Sequence, residues 1–459
     1  MTNTGWASHS TRWRAWLLTT MVCAVAFECG AQSPVEPQTS SPALPSAVYV
    51  AYAGPYDASP SSAFGHLFLL LSPADDPSIA AAQVVTLVAD TQGDGALRTW
   101  WRGLVGGYRL IVLRRPLHEQ LRIYSLREDR PLWILPLRMT DAERQRLIEN
   151  LDGLAAAQLP YRFFTRNCAT YLQEIIAQAT SAVASPEGML APADVFSHLA
   201  ASRLGGPVLM RPAASVLIRD QVKRASVPAI DVRMRSDQWV RALADEQWLG
   251  SLEDADRALV LEIVRLRMLS FRSALDTEAT DGLRRLRLAA AASPMQGIGH
   301  LGTPIPVSSA ELTGSGASVP THRTPSHRYM LLSAGAVSEE RMPTRTTLRV
   351  RPAMHALTDP EESYARGTSL DIASATASIG STGTDIRLEQ VTLISQRSLV
   401  PGSWIRPHRA WALELLGRRS GPLSEAGFGA EFHLGVGSAR RLSDRVHSYV
   451  LATASAYSN

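Results

Sequence analysis

The chain has 459 residues, of which 45% are hydrophobic and 19% are charged, and its formal net charge is +4. This length allows two or three domains that each bury a core, and the composition excludes a disordered protein. A positive charge this small does not indicate a nucleic-acid partner, and none is expected.

The N-terminus has the pattern of a secretory signal, because basic residues precede an apolar run at 15–27. That run is too short to span a bilayer. The large and charged residues before Cys29 do not suit a lipoprotein signal, and we expect cleavage after Ala31. The chain is therefore predicted to be exported, with a signal peptide at 1–31 and a flexible Pro- and Ser-rich linker at 32–46.

Residues 47–185 have an α+β pattern. A helix is expected to begin at Thr140, where Thr140 and Glu143 have the spacing of a capping box, and to stop before Pro160. A second helix is expected to begin at Asn167, a good N-cap followed by a helical apolar stripe. The predicted strands are 47–53, 66–71, 84–89 and 132–137.

The rest of the chain divides into a helical region at 186–295, a linker at 296–326 and a β domain at 327–459. The predicted helices of the middle region are 237–249, 252–275 and 280–292. In the last region apolar residues alternate with small or polar ones in about seven segments, separated by turn signals such as Gly380–Gly383. This pattern predicts an antiparallel domain, as a sandwich, a half-barrel or a barrel-like sheet.

Cys168 is the one cysteine expected in the exported chain, since Cys23 and Cys29 lie within the signal. A thiol without a disulfide partner in an oxidising compartment indicates a nucleophile. Its place at a helix start predicts a lowered thiol pKa. His66, at the start of an apolar strand and after Gly65, is the candidate base.

Four segments in this order resemble the Lnb N-terminal periplasmic domain family. They are Phe64-Gly65-His66 before an apolar strand, Gly103-Leu104-Val105-Gly106-Gly107-Tyr108, Arg130-Pro131-Leu132-Trp133, and Tyr161-x-Phe-Phe-x-x-Asn167-Cys168. The resemblance covers about residues 47–185. It implies a periplasmic domain with the circularly permuted papain-like thiol fold of the NlpC superfamily.

By this resemblance Cys168 is the nucleophile, and His66 is the base that deprotonates it and later protonates the leaving group. Thr86 or Asp90, on the neighbouring strand, is the candidate that orients the imidazole, and the backbone N–H of Cys168 contributes to the oxyanion hole. Candidate substrate-binding residues are Phe64, Gly65, Gly106, Gly107, Tyr108, Tyr161 and Asn167. No metal is expected, because His66 and Cys168 alone are too few ligands, and no cofactor is expected.

The function expected from the resemblance is a cysteine acyltransferase or hydrolase that acts through a thioester on lipid or lipoprotein, with a membrane surface as a candidate partner. Two alternatives stay open. The same thiol chemistry could cleave peptidoglycan stem peptides, or the chain could be a non-catalytic structural protein of the envelope. The periplasm is the expected location, with outer-membrane association as a further option.

Overall fold

The structure is a computed structural model. The residues it describes are 44–56, 62, 64–75, 79–91, 93–94, 96–181, 191–216, 218, 230, 233–234, 239–270, 280–285, 330–337, 344–357, 367–381, 383–402, 408–420, 427–443 and 446–458. The predicted signal peptide and the 296–326 linker lie outside these residues.

The N-terminal part of the chain forms a seven-stranded antiparallel sheet in the order β6-β4-β3-β2-β1-β5-β7. The four predicted strands are confirmed within one residue at each end, while β4, β6 and β7 had not been predicted. The strands are β1 Ala47–Ala53, β2 His66–Ser72, β3 Gln83–Ala89, β4 Tyr108–Pro116, β5 Leu132–Leu137, β6 Pro160–Tyr161 and β7 Leu209–Arg211.

Helices cover both faces of this sheet. Helix α1 (Ala96–Val105) precedes β4, and the short helix α2 (Leu117–Leu121) follows it and continues into a π-helical turn at Arg122–Arg127. One face packs on α2 and this turn through a core that includes Phe68, Leu70 and Tyr124. The other face packs on three helices, α3 (Asp141–Ala156), α4 (Cys168–Ala179) and α5 (Pro192–Ala201).

The predicted N-termini of α3 and α4 are confirmed. Thr140 and Glu143 form a complete capping box at α3, which ends at Ala156, ahead of Pro160. The Asn167 side chain caps α4 by accepting from the N–H groups of Ala169 and Thr170 at 2.9 and 3.0 Å. Each cap satisfies N–H groups that a helix start would otherwise leave unpaired.

The region predicted to be helical at 186–295 contains strand β7 of the N-terminal sheet, and the first of its three predicted helices is interrupted. The structure has α6 at Trp239–Ala244, α7 at Glu246–Ser251 and α8 at Asp254–Ser270. The single helix predicted at 237–249 is therefore wrong, because the Asp245 side chain accepts from the Trp248 N–H at 2.9 Å and starts a new helix. Residues 280–285 are helical, and 271–279 and 286–292 lie outside the described residues.

The C-terminal part forms a second antiparallel sheet, which is a half-barrel rather than a sandwich. The order is β15-β14-β13-β12-β11-β9-β8, with the short β10 paired to β11. The alternation of apolar residues thus predicted the strands. It does not determine whether the strands form one sheet or two, because that depends on contacts between residues far apart in sequence. The strands are β8 Leu331–Val337, β9 Arg345–Arg351, β10 Ala353–His355, β11 Thr368–Ile379, β12 Ile386–Ser398, β13 Ala410–Ser420, β14 Gly427–Arg441 and β15 His447–Ser458.

The whole is a mixed α+β protein with two antiparallel sheets. Among the helices that the structure describes, none combines the length and the apolar character needed to cross a bilayer.

Candidate active site

Cys168 is the first residue of α4 and is 3% exposed. Asn167 holds this helix start, and its amide also donates to the Phe163 carbonyl at 3.0 Å, which fixes the preceding loop. The sulfur therefore lies where the sequence predicts it, at the positive end of a helix, with its backbone anchored on both sides.

The pKa of the Cys168 thiol is raised, which corrects the expectation of a lowered value. Burial is the main cause, because it disfavours the charged thiolate. The Leu67 N–H and the Tyr161 hydroxyl donate to the sulfur and act in the opposite direction, but they do not outweigh burial. Cys168 is consequently a neutral thiol near neutral pH.

His66 is the first residue of β2 and is 5% exposed. Its ring stacks beside Phe68, with centroids 6.1 Å apart, and lies 6.1 Å from the Tyr124 ring. Burial, helped by the positive charge of Arg130, lowers the pKa of His66 to about 3. The imidazole is thus neutral near neutral pH, the protonation state that a base requires.

The thiol contacts the peptide unit that directly follows His66. The N–H that donates to the Cys168 sulfur belongs to Leu67, so it lies on the peptide bond that joins His66 to Leu67. The Nε2 of His66 is buried and has no hydrogen-bond partner among the described residues. The backbone next to His66 therefore lies against the thiol, whereas the imidazole packs against Phe68 and Tyr124 and its Nε2 is not hydrogen bonded to the thiol.

The two candidates for orienting the imidazole lie on the strand beside β2. Thr86 is buried on β3 and pairs with Phe68, so it shares the sheet face of Phe68. Asp90 follows β3, and its N–H donates to the Arg109 carbonyl at 2.9 Å. Neither side chain bonds Nε2 of His66.

Tyr161 has a larger role than the sequence indicated. The backbone N–H of Cys168 donates to the Tyr161 hydroxyl at 3.2 Å, so the expected oxyanion donor already has an acceptor. The same hydroxyl reaches the sulfur, and burial raises the Tyr161 pKa well above its ordinary range. A neutral phenol in this position can donate to an oxygen that becomes charged during a reaction.

A buried arginine and a second tyrosine complete the cluster, and neither had been predicted as a site residue. Arg130 is 1% exposed and donates to the carbonyls of Ala53 (2.9 Å) and Gly54 (2.5 Å) and to Glu128 (2.7 Å). Its guanidinium lies 4.7 Å from the centre of the Tyr124 ring. The motif that begins at Arg130 was the signal that the sequence offered for this residue. The position of Arg130 near His66 follows from the fold.

Burial raises the pKa of Tyr124, and the nearby charges of Arg130, Glu128 and Cys168 also affect it. Tyr124 in turn raises the pKa of Tyr161. Tyr124 belongs to the core on the sheet face opposite to α4, and its ring lies beside His66 at the start of β2.

The Gly103–Tyr108 segment approaches the loop that carries Cys168. A Cβ on Gly103 would lie 2.3 Å from the Phe163 ring, and the Phe163 N–H donates to the Gly103 carbonyl at 2.9 Å. Gly106 has φ +87° and lies against the Arg162 side chain, and Gly107 lies beside Arg102. The chain thus makes a tight turn at Gly106 and Gly107, and the backbone of Gly103 lies close to the loop before Cys168.

Tyr108 pairs with Tyr161 in the sheet, and its hydroxyl donates to Asp94 at 2.8 Å. Its phenol is therefore bound within the protein, away from the thiol. Tyr108, Gly106 and Gly107 support the loop around Cys168, and their assignment to substrate binding stays a prediction.

Phe64 and Gly65 form the turn before His66. Gly65 has φ +88°, and a Cβ there would lie 2.8 Å from the Ala53 carbonyl oxygen, so only glycine fits. The Phe64 ring packs edge-on against Phe164, from the loop before Cys168, with centroids 6.1 Å apart. Both rings pack against Ile372 and Leu370 on β11 of the C-terminal sheet.

In the described part of the chain, no group of three or more His, Cys, Asp or Glu side chains could hold a metal ion.

Comparison with known proteins identifies two families along the chain. Residues 36–202 match the Lnb N-terminal periplasmic domain, and residues 322–459 match a domain of unknown function, DUF7840. No curated protein and no solved structure matches the chain. The first match contains all four motifs and the whole cluster around Cys168, and it supports a periplasmic location. The N-terminal part of this chain, residues 36–202, belongs to the Lnb N-terminal periplasmic domain family.

Proposed function

We propose that the N-terminal domain is a cysteine acyltransferase or hydrolase that works through a thioester on Cys168, with the acyl group of a lipid or lipoprotein as substrate. The observation that carries the proposal is the surroundings of the thiol. Cys168 begins a capped helix, its sulfur receives the Tyr161 hydroxyl and the N–H of Leu67, and Leu67 directly follows His66, whose neutral imidazole has no hydrogen bond at Nε2.

In the first step the Cys168 sulfur attacks the acyl carbonyl carbon, and a C–S bond forms as the ester C–O bond breaks. The thiol proton passes to Nε2 of His66 and from there to the leaving alkoxide. In the second step an amine or water attacks the thioester, the C–S bond breaks, and the thiol regains a proton through His66.

Because both the thiol and the imidazole are neutral, the proposed mechanism uses proton transfer during attack rather than a preformed ion pair. The transfer requires the sulfur and Nε2 to approach each other when substrate binds, because they are not hydrogen bonded in the free protein. The Tyr161 hydroxyl is hydrogen bonded to both the sulfur and the N–H of Cys168. It is therefore placed to donate to the substrate's carbonyl oxygen as that oxygen becomes negative.

An alkyne-tagged acyl β-lactone followed by peptide mapping tests the proposal. We expect an adduct on Cys168 that is lost in Cys168→Ser and forms at least about 100-fold more slowly in His66→Ala. His198→Ala, which changes an exposed histidine of α5, is the matched control and should react like the wild type. Equal rates in His66→Ala and the wild type would exclude His66 as the base.

The experiment also separates the alternatives. Release of peptide fragments from purified cell wall, lost in Cys168→Ser, would move the substrate class from acyl lipids to stem peptides. A wild-type protein that forms no adduct and releases no fragment would indicate a structural role in the envelope.

A further inference from the structure

The two faces of the C-terminal sheet have opposite character. One face carries most of the charged residues of the sheet, and ion pairs on it join Arg349 and Arg351 to Asp371 at 3.0 and 2.9 Å and Arg397 to Glu414 at 2.7 Å. Glu431 on the same face pairs with Arg418 and His433. The charges in these pairs are satisfied within the sheet. The exposed apolar side chains on this face lie on the two edge strands, β8 and β15; they are Leu331, Val337, Tyr449 and Tyr457.

The opposite face is apolar and exposed. The strand registers place eight large side chains on it, each at least 36% exposed, and together they cross the sheet from β8 to β15. We call them the apolar face. They are Leu332, Leu348, Val350, Ile386, Leu388, Leu415, Phe428 and Val450.

Exposed apolar surface of this extent is unusual for a free soluble protein and marks a binding surface. The registers place no acidic residue on this side of the described strands, whereas Arg419 lies there near the end of β13 and the exposed Arg440 near the end of β14. An apolar surface with a cation at its border and no anion complements the acyl region and the phosphates of a bilayer.

The apolar face also continues into the contact with the thiol domain. Leu370 and Ile372 lie on the same side of the sheet and are buried against Phe64 and Phe164. Those two rings flank the residues that carry the site, since Phe64 is two positions from His66 and Phe164 is four positions from Cys168. The apolar face therefore extends to the loops of the candidate active site, and the strand registers place no charged residue between them.

We propose that the apolar face docks on an anionic phospholipid bilayer and presents Cys168 to lipid at the membrane surface. In the part of the chain that the structure describes, β8 and β15 each pair on one side only. Unpaired strand edges are too costly in hydrocarbon, so the sheet lies at the interfacial depth. The delivery of lipid to Cys168 rests on the proposed function, whereas the docking does not.

Cosedimentation of the exported chain with vesicles of phosphatidylglycerol and phosphatidylethanolamine tests the docking. Leu348 and Leu388 flank Ala377 on adjacent strands, and Leu348→Asp/Leu388→Asp should lower the partition coefficient about tenfold or more. The matched control is Val208→Asp, because Val208 and Leu348 are each 42% exposed and Val208 lies outside the C-terminal sheet. Thermal unfolding of each variant shows whether it is folded.

Hydroxyl-radical footprinting of the wild type tests the docking without any substitution. Vesicles should protect Leu348, Leu388 and Val450 from oxidation and leave Val208 unchanged. Wild-type protein that stays in the supernatant, or a double variant that binds like the wild type, would overturn the docking. Protection that appears without vesicles as protein concentration rises would assign the face to a second copy of the chain.

The lactone labelling of Cys168 distinguishes this result from failure of the proposed function. If vesicle binding fails and Cys168 labelling persists, the docking is wrong and the thiol chemistry stands. If the protein binds vesicles and the wild-type thiol forms no adduct, the docking is supported and the proposed acyl chemistry is wrong.

Discussion

At the scale of single residues, the site is defined by two groups that burial keeps uncharged. The low pKa of His66 follows first from burial and then from Arg130, and the raised pKa of Cys168 follows from burial despite two hydrogen-bond donors to its sulfur. A helix start alone therefore does not determine the charge of a thiol, because desolvation has the opposite effect and is larger here.

His66 should make the stability of the protein depend on pH. Its pKa is about 3 when folded and about 6.5 when unfolded, so the unfolded chain binds the additional proton between these values. Stability should be greatest above about pH 6.5 and fall towards pH 3, with a slope of up to about 1.4 kcal/mol per pH unit. Urea unfolding between pH 4 and 7 measures this slope.

His66→Gln removes the titrating group and should flatten that dependence, and His198→Ala should retain it because His198 is exposed. A slope unchanged in His66→Gln would show that another group titrates in this range.

Cys168 should react slowly with a small electrophile in the free protein. Because its pKa is raised, the thiolate fraction at pH 7 is below that of a free cysteine, and the rate of iodoacetamide labelling should rise steeply towards pH 10. Tyr161→Phe removes a donor to the sulfur and should move the profile to higher pH. Mapping the Cys168 peptide gives the rate, and protein unfolded in urea is the control. Labelling of the folded wild type faster than free cysteine would contradict the assigned burial.

At the scale of secondary structure, local signals were sufficient where one residue determines an element's end. Thr140 and Asn167 cap their helices as predicted, and Gly65 allows the turn before β2. Asp245 carried the same kind of signal inside an apolar helical pattern, and its capping bond divides the helix predicted there. A capping residue within a segment of helical periodicity can therefore mark the start of a new helix, although the periodicity continues through it.

The N-cap of α4 should contribute measurably to stability, since Asn167 accepts from two N–H groups that have no partner within the helix. We expect Asn167→Ala to lower the free energy of unfolding by about 1 to 2 kcal/mol. It should also increase exposure of Cys168 to labelling. Thr165→Ala, an exposed change in the same loop, is the control, and equal stabilities of the two variants would show that the cap contributes little.

The remaining parts of the site depend on contacts far apart in sequence. Arg130 reaches the carbonyls of Ala53 and Gly54, 77 and 76 residues away, and Tyr124 enters from the opposite sheet face. Periodicity assigns such residues to elements, but it contains no information on which ends of which strands come together. The Cys168 and His66 pair was accessible because a motif marks each residue.

At the scale of the whole molecule, the C-terminal sheet supports the loops of the candidate site. Ile372 and Leu370 are buried against Phe64 and Phe164, which belong to the two loops that precede His66 and Cys168. Loss of this contact would free both loops at once. The C-terminal domain therefore takes part in shaping the site through packing.

Ile372→Ala should both destabilise the protein and loosen the site. The Ile372 side chain is fully buried, and its truncation should lower the free energy of unfolding by about 2 to 4 kcal/mol. Because Phe64 and Phe164 lose their support, iodoacetamide should label Cys168 faster under native conditions. Leu388→Ala, on the exposed part of the same side of the sheet, should change the unfolding free energy by less than about 0.5 kcal/mol and leave the labelling rate unchanged. Loss of stability without faster labelling would show that the N-terminal domain holds both loops by itself.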